Sequence, residues 1–189
     1  MPWRLRYQRS GKAGGVSVMR KFARASAAAV VLGWWSCASA LAQTPAPPEA
    51  AILTIGGAVE RPLQLHLADL EKMPHVSVAV KDHDGIAATY EGVLLAELLK
   101  SAGAASGEKM RGPNMVSYLL AEAKDGYRVI FALAELDPGF TDSQVIVAFA
   151  RNGKPLAEGQ GPLRIIVPQD KRQARWIRMV QKLEVVEVP

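Results

Sequence analysis

From residue 51 onward, apolar positions recur mostly with a period of two. Leu63, Leu65 and Leu67 alternate with polar partners, as do Val76, Val78 and Val80 and the final run Lys182–Val188. Such alternation marks strands with one face in a core. Residues 51–56, 86–90, 115–123 and 127–133 read as further extended runs. Val145–Ala150 and Leu163–Val167 are apolar strands, the second one buried and closed by Pro168. Helical period is scarce. Leu94, Leu95, Leu98 and Leu99 share one face of a helix over Val93–Ala102, which Gly103 ends, and a single turn at Ala68–Met73 is stopped by Pro74. Gly56-Gly57 and Asp84-Gly85 mark turns. Asp125-Gly126 and Asn152-Gly153 are hairpin signals, the first read as a primed turn with positive φ at both positions. Without a regular strand–helix rhythm the pattern predicts an α+β domain: mixed, mostly antiparallel short strands with hairpins and one or two short helices. No internal repeat is visible.

Residues 1–42 follow a different logic. Seven of the 23 basic residues and none of the 18 acidic ones fall there, which leaves 16 against 18, a net of −2, for the rest of the 189-residue chain. Arg20, Lys21 and Arg24, the short apolar run Ala27–Trp35 and the small-x-small site Ala40-Leu41-Ala42 predict a signal peptide with its start at Met19 and cleavage before Gln43. The expected product is periplasmic, with no membrane span after cleavage. It consists of a Pro-rich tether over 43–50 and one domain over 51–189. Cys37, the single cysteine, lies inside the signal, so the mature protein would have no disulfide, thiolate ligand or cysteine nucleophile. The overall positive charge therefore says nothing about nucleic acid, and the tyrosines and Trp176 are too dispersed for a base-stacking surface.

Catalytic signatures are sparse. There is no Gly-x-Ser-x-Gly elbow and no phosphate loop, and Gly159-Gln160-Gly161 precedes a proline and an apolar strand rather than a helix. Asp82-His83-Asp84 matches no metal-ligand spacing and reads as a solvated turn, and His66, between two leucines of the opposite face, as a surface histidine. What stands out is a basic concentration at Arg164, Lys171, Arg172, Arg175 and Arg178, in a domain otherwise slightly acidic. Guanidinium forks suit phosphate or carboxylate. The expectation is that Arg164, Arg172, Arg175 and Arg178 converge on one pocket; the competing expectation is a solvated loop beside a buried Trp176.

Seven pieces in order resemble one family. They are Leu53–Val59 with Pro62, Leu67-Ala68-Asp69-Leu70 with Met73-Pro74, Tyr90-Glu91-Gly92-Val93-Leu94-Leu95-Ala96-Glu97-Leu98-Leu99, Asp125-Gly126-Tyr127, Asn152-Gly153-Lys154-Pro155-Leu156, Gly161–Pro168 and Trp176-Ile177-Arg178. From Ile52 to Val188 the chain resembles the oxidoreductase molybdopterin-binding domain, with its sulfite-oxidase-like fold. The resemblance implies a molybdopterin pocket in which one protein cysteine holds molybdenum. The matching position falls near Val80–Lys81, neither of which is a cysteine. Catalytic members also carry twin-arginine signals, whereas Arg20-Lys21-Phe22 has one arginine. The resemblance therefore points to a domain without molybdenum redox chemistry and with no cofactor. Such a domain would take a small anionic ligand, or a pterin phosphate at the four arginines, or a periplasmic protein partner. The alternative is a molybdopterin-dependent oxidoreductase or its accessory subunit.

Overall fold

Residues 52–82 and 85–188 are described by a computed structural model of the protein. The predicted signal peptide, the tether, His83 and Asp84 lie outside the described residues. Ten strands form two sheets. The first runs in the order β2 (Leu63–Leu65), β1 (Leu53–Gly57), β10 (Val180–Val186), β5 (Tyr118–Ala123), β6 (Arg128–Ala132). All its pairings are antiparallel except β1 with β10, where Ile55 sits beside Leu183. The second has the order β3 (Val76–Lys81), β4 (Ala87–Leu94), β7 (Ile146–Arg151), β8 (Lys154–Pro155), and β9 (Arg164–Ile166) also pairs with β7. Two helices, α1 (Leu67–Lys72) and α2 (Leu95–Ala102), complete the α+β architecture. Among the described residues no helix is long and apolar enough to cross a membrane.

The period-two pattern translates directly into the core. Leu53 and Ile55, Leu119 and Ala121, Phe131, and Leu183 and Val185 point inward from the first sheet and are almost fully buried. Strands β7 and β9 lie deeper, and Ile146, Val147, Ala148, Ile165 and Ile166 have no measurable exposure. Helix α2 buries Leu95, Leu98, Leu99 and Ala102 in the same core. Each buried branched side chain contributes roughly 1.5–3 kcal/mol, so no staple is needed in a domain of this size.

Four boundaries differ from the sequence reading. The best helix begins at Leu95 rather than Val93, because Gly92, Val93 and Leu94 continue β4 and pair with Ala148, Val147 and Ile146. That pairing brings the strands unusually close at Gly92, where an added Cβ would lie 2.3 Å from the carbonyl oxygen of Val147. Leu67 opens α1 instead of ending β2, since the Asp69 carboxylate accepts the His66 amide at 2.9 Å and turns the chain into the helix. Strand β5 starts at Tyr118, after a 3-10 turn over Gly112–Val116 with Pro113 in its first turn. At Asp125-Gly126 only Gly126 has positive φ. Ala123 bonds to both Gly126 and Tyr127, and the Asp125 carboxylate accepts the Tyr127 amide, so the link is a three-residue loop rather than a two-residue primed turn. Asn152-Gly153 is the primed hairpin, with φ of 52° and 71°.

Candidate functional site

A depression of about 670 Å³ opens where the end of edge strand β3 meets the loop after β9. Ala79, Val80, Lys81 and Asp82 form one wall. Pro168, Asp170, Lys171, Arg172, Gln173 and Trp176 form the other. Local chemistry fixes this geometry. Pro168 stops β9, and the chain returns through a 3-10 turn at Gln173–Arg175. The indole N–H of buried Trp176 donates to the carbonyl of Val167 at 2.9 Å and closes the loop at its base. The Gln173 amide donates to the Lys81 carbonyl at 2.8 Å and ties the loop to β3.

Behind the cleft lies a buried charged network. Asp82 (5% exposed) accepts the Tyr90 hydroxyl at 2.7 Å and faces Arg151 at 3.2 Å and Arg164 at 3.8 Å. Arg164 (4% exposed) donates to Tyr90 and to Gln160, and its guanidinium lies 5.6 Å from the Trp176 ring centre. Burial, and then the bond to Asp82, push the Tyr90 phenol up to about 12. Tyr90 is therefore a permanent hydroxyl donor, and this network is committed to holding β3, β4, β7 and β9 together.

The four arginines do not converge. Arg164 is consumed by the network behind the cleft. Arg175 binds Asp170 through two nitrogens and also Glu135, over the face of Phe131 at 5.0 Å. Its bonds to Asp170 hold its pKa above the ordinary range. Arg172 lines the cleft, and Arg178 lines a separate depression beside Tyr127. Chain proximity placed these residues on one loop, but Asp170, Glu135 and Asp82 take two of them out of circulation. Lys171, part of the basic concentration in the sequence, lines the cleft with Arg172, and Lys81 is the cleft cation that the sequence reading leaves out. The signal for Lys81 is a lone charge closing an apolar alternating strand. Lys81, Lys171, Arg172 and Arg178 make no ion pair with the described residues, whereas Asp82 and Asp170 are already neutralised by arginines. Among the described residues the cleft thus carries more positive charge than its ion pairs balance, which suits an anion.

Neither described histidine sits in a cluster of metal ligands. His66 is half-buried at the start of α1, not on the open surface, with its Nδ1 unpartnered. His75 contacts Glu91 at 3.0 Å and Phe149 edge-on. Among the described residues no group of three His, Cys, Asp or Glu could hold a metal. His83 and Asp84 lie outside the described residues, and Asp82 is engaged in the buried network. A second depression, about 310 Å³ and mainly apolar, lies between α2 and residues 133–139. Its Asp137 carboxylate is spent on the amides of Gly107 and Gly139.

Molybdenum bound through a protein thiolate does not fit this site. The expected ligand position, Val80–Lys81, is the cleft wall itself and offers methyl groups and an ammonium. Cys37, the single cysteine of the sequence, falls among residues outside the described ones. At this position the protein supplies no soft thiolate donor to molybdenum.

Similarity to known proteins agrees with the fold. The sulfane dehydrogenase SoxCD from Paracoccus pantotrophus superposes with a TM-score of 0.56 at 23% identity, over 70% of this chain and 37% of that one. The chain thus spans little more than a third of the length of that structure. No curated protein matches the sequence. The family model described as "Oxidoreductase molybdopterin binding domain" matches residues 42–189. With the ordered motifs and the two-sheet α+β fold, this establishes that the chain belongs to the oxidoreductase molybdopterin-binding domain family.

Proposed function

We propose that this is an exported domain that retains the molybdopterin-binding fold without molybdenum redox chemistry. Its cleft binds the anionic group of a small ligand or of a partner protein. One observation carries this reading: Lys81, Lys171 and Arg172 line a single cleft without ion pairs to the described residues, while its two described carboxylates are already neutralised. Charged donors on a partly desolvated wall contribute on the order of 1.5–3 kcal/mol per bond to an anion, and far less if fully solvated. Inorganic phosphate should therefore raise the melting temperature in a saturable way. Lys171→Ala combined with Arg172→Ala should abolish that rise and leave the ligand-free melting temperature nearly unchanged. The reading fails if neither phosphate, sulfate nor a carboxylate gives a saturable shift.

Family membership supports a second reading, a molybdopterin-dependent oxidoreductase or an accessory subunit of one. Metal and pterin analysis of the protein isolated from its native host separates the two. Stoichiometric molybdenum would replace the first reading by the second.

A further inference from the structure

We infer that the face built around the Gln173–Arg175 turn docks an extended acidic segment of a partner protein. One carboxylate lies in the Lys81–Lys171–Arg172 cleft and another beside Arg178. This rests on the cleft being an anion site, and it adds the source of the anion.

The turn is a ridge with a depression on each side. Gln173 and Trp176 line both depressions, the cleft and a second hollow of about 220 Å³ that Tyr127 and Arg178 complete. Cations without ion pairs stand on both sides of the ridge. A single small oxyanion would satisfy the cleft and leave Arg178 unused. A chain of carboxylates crossing the ridge would engage both. In the second hollow the Asp125 carboxylate already accepts the Tyr127 amide, and it forms no ion pair with Arg178.

The ridge is also rigid. Gln173 ties it to β3, the Tyr127 hydroxyl donates to the Ala174 carbonyl at 2.9 Å, and Arg175 fixes it to Asp170 and Glu135. A fixed surface loses little entropy on binding. An exposed apolar group stands beside the charges: Tyr127, which lines the second hollow with Arg178, is 50% exposed. Arginine and tyrosine beside apolar surface are the composition of protein interfaces. Residues 43–189 carry a net of −2, so four cations without ion pairs among the described residues give this face a local positive charge that complements an acidic segment.

The test compares two probes on the purified protein. A fluorescein-labelled twelve-residue Glu/Leu peptide is titrated by anisotropy, with a Lys/Leu peptide as control, and inorganic phosphate is titrated by thermal shift. The acidic peptide should bind saturably, and less tightly as salt rises. Arg178→Ala should weaken peptide binding about fivefold and Arg178→Glu more, with the phosphate response unchanged. Arg172→Ala should weaken both. If phosphate binds but the peptide does not, or Arg178→Glu leaves peptide affinity unchanged, the docking proposal falls and the small-anion reading stands. If neither probe binds, both fall. Melting curves of the variants, whose arginines are exposed and make no ion pairs, check that the fold is intact.

Discussion

Tyr90 in β4 and Asp82, one residue past the end of β3, share a 2.7 Å hydrogen bond in a site closed to solvent. The bond needs a protonated phenol, and burial together with the carboxylate raises the Tyr90 pKa to about 12 from the usual 10. The native state therefore holds this proton more tightly than the unfolded chain. Its contribution is fully present below pH 10 and is lost as pH rises toward 12. Tyr90→Phe should be less stable than wild type by about 1–3 kcal/mol at pH 8, with buried partners left unpaired. The gap between the two should narrow between pH 10 and 12. Urea unfolding of both proteins across that range checks it; a constant gap would mean that Tyr90 ionises normally.

Gly92 answers to packing. Its backbone lies so close to β7 that a Cβ would press on the Val147 and Ala148 main chain, which cannot yield as a flexible side chain would. Gly92→Ala should cost about 2 kcal/mol or more, measured by chemical denaturation. Gly153→Ala, with open space but φ of 71°, should cost only about 1 kcal/mol. Equal costs would contradict the close approach of β4 and β7.

Within the basic loop, stability and binding should separate. Arg175→Ala removes bonds to Asp170 and Glu135 and the contact with Phe131, and after allowance for solvent screening should destabilise by about 1 kcal/mol. Arg172→Ala, exposed and without an ion pair, should stay within about 0.5 kcal/mol of wild type. Thermal unfolding of both variants in ligand-free buffer is the measurement. A reversed order would remove the structural reason for assigning Arg172 to the cleft.

Export is checked at the N-terminus. Protein recovered from the periplasm should begin at Gln43 if cleavage follows Ala42. An uncleaved cytoplasmic product would overturn the exported reading.

The strands were largely legible because one buried face imposes alternation, and the alternating valines of β3 and leucines of β2 carry that imprint. Gly103, at φ of 78°, ends its helix where a left-handed residue is needed. Two things were hidden. Continuation of β4 through Leu94 depends on a partner strand more than fifty residues away, and the leucines there also satisfy a helical period. The fate of each arginine was hidden too, because Arg164 meets Tyr90 across 74 residues and Arg175 meets Glu135 across 40. Local composition shows that guanidinium groups gather on this loop. Only the fold shows which of them are already spent.

The parallel pairing of β1 with β10 has a consequence in time. Strand β10 stands in the middle of its sheet, joined to β1 on one side and β5 on the other, yet it follows every other described strand in sequence. Neither half of that sheet can be sealed until residues 180–186 have been made, because Leu183 and Val185 fill the space between Ile55 and Leu119. Pairing the first strand with the last also demands closure of a loop of well over a hundred residues, the slowest kind of contact to form. Until that loop closes, β1 and β5 each keep an open edge, so this sheet is completed only when residues 180–186 join it.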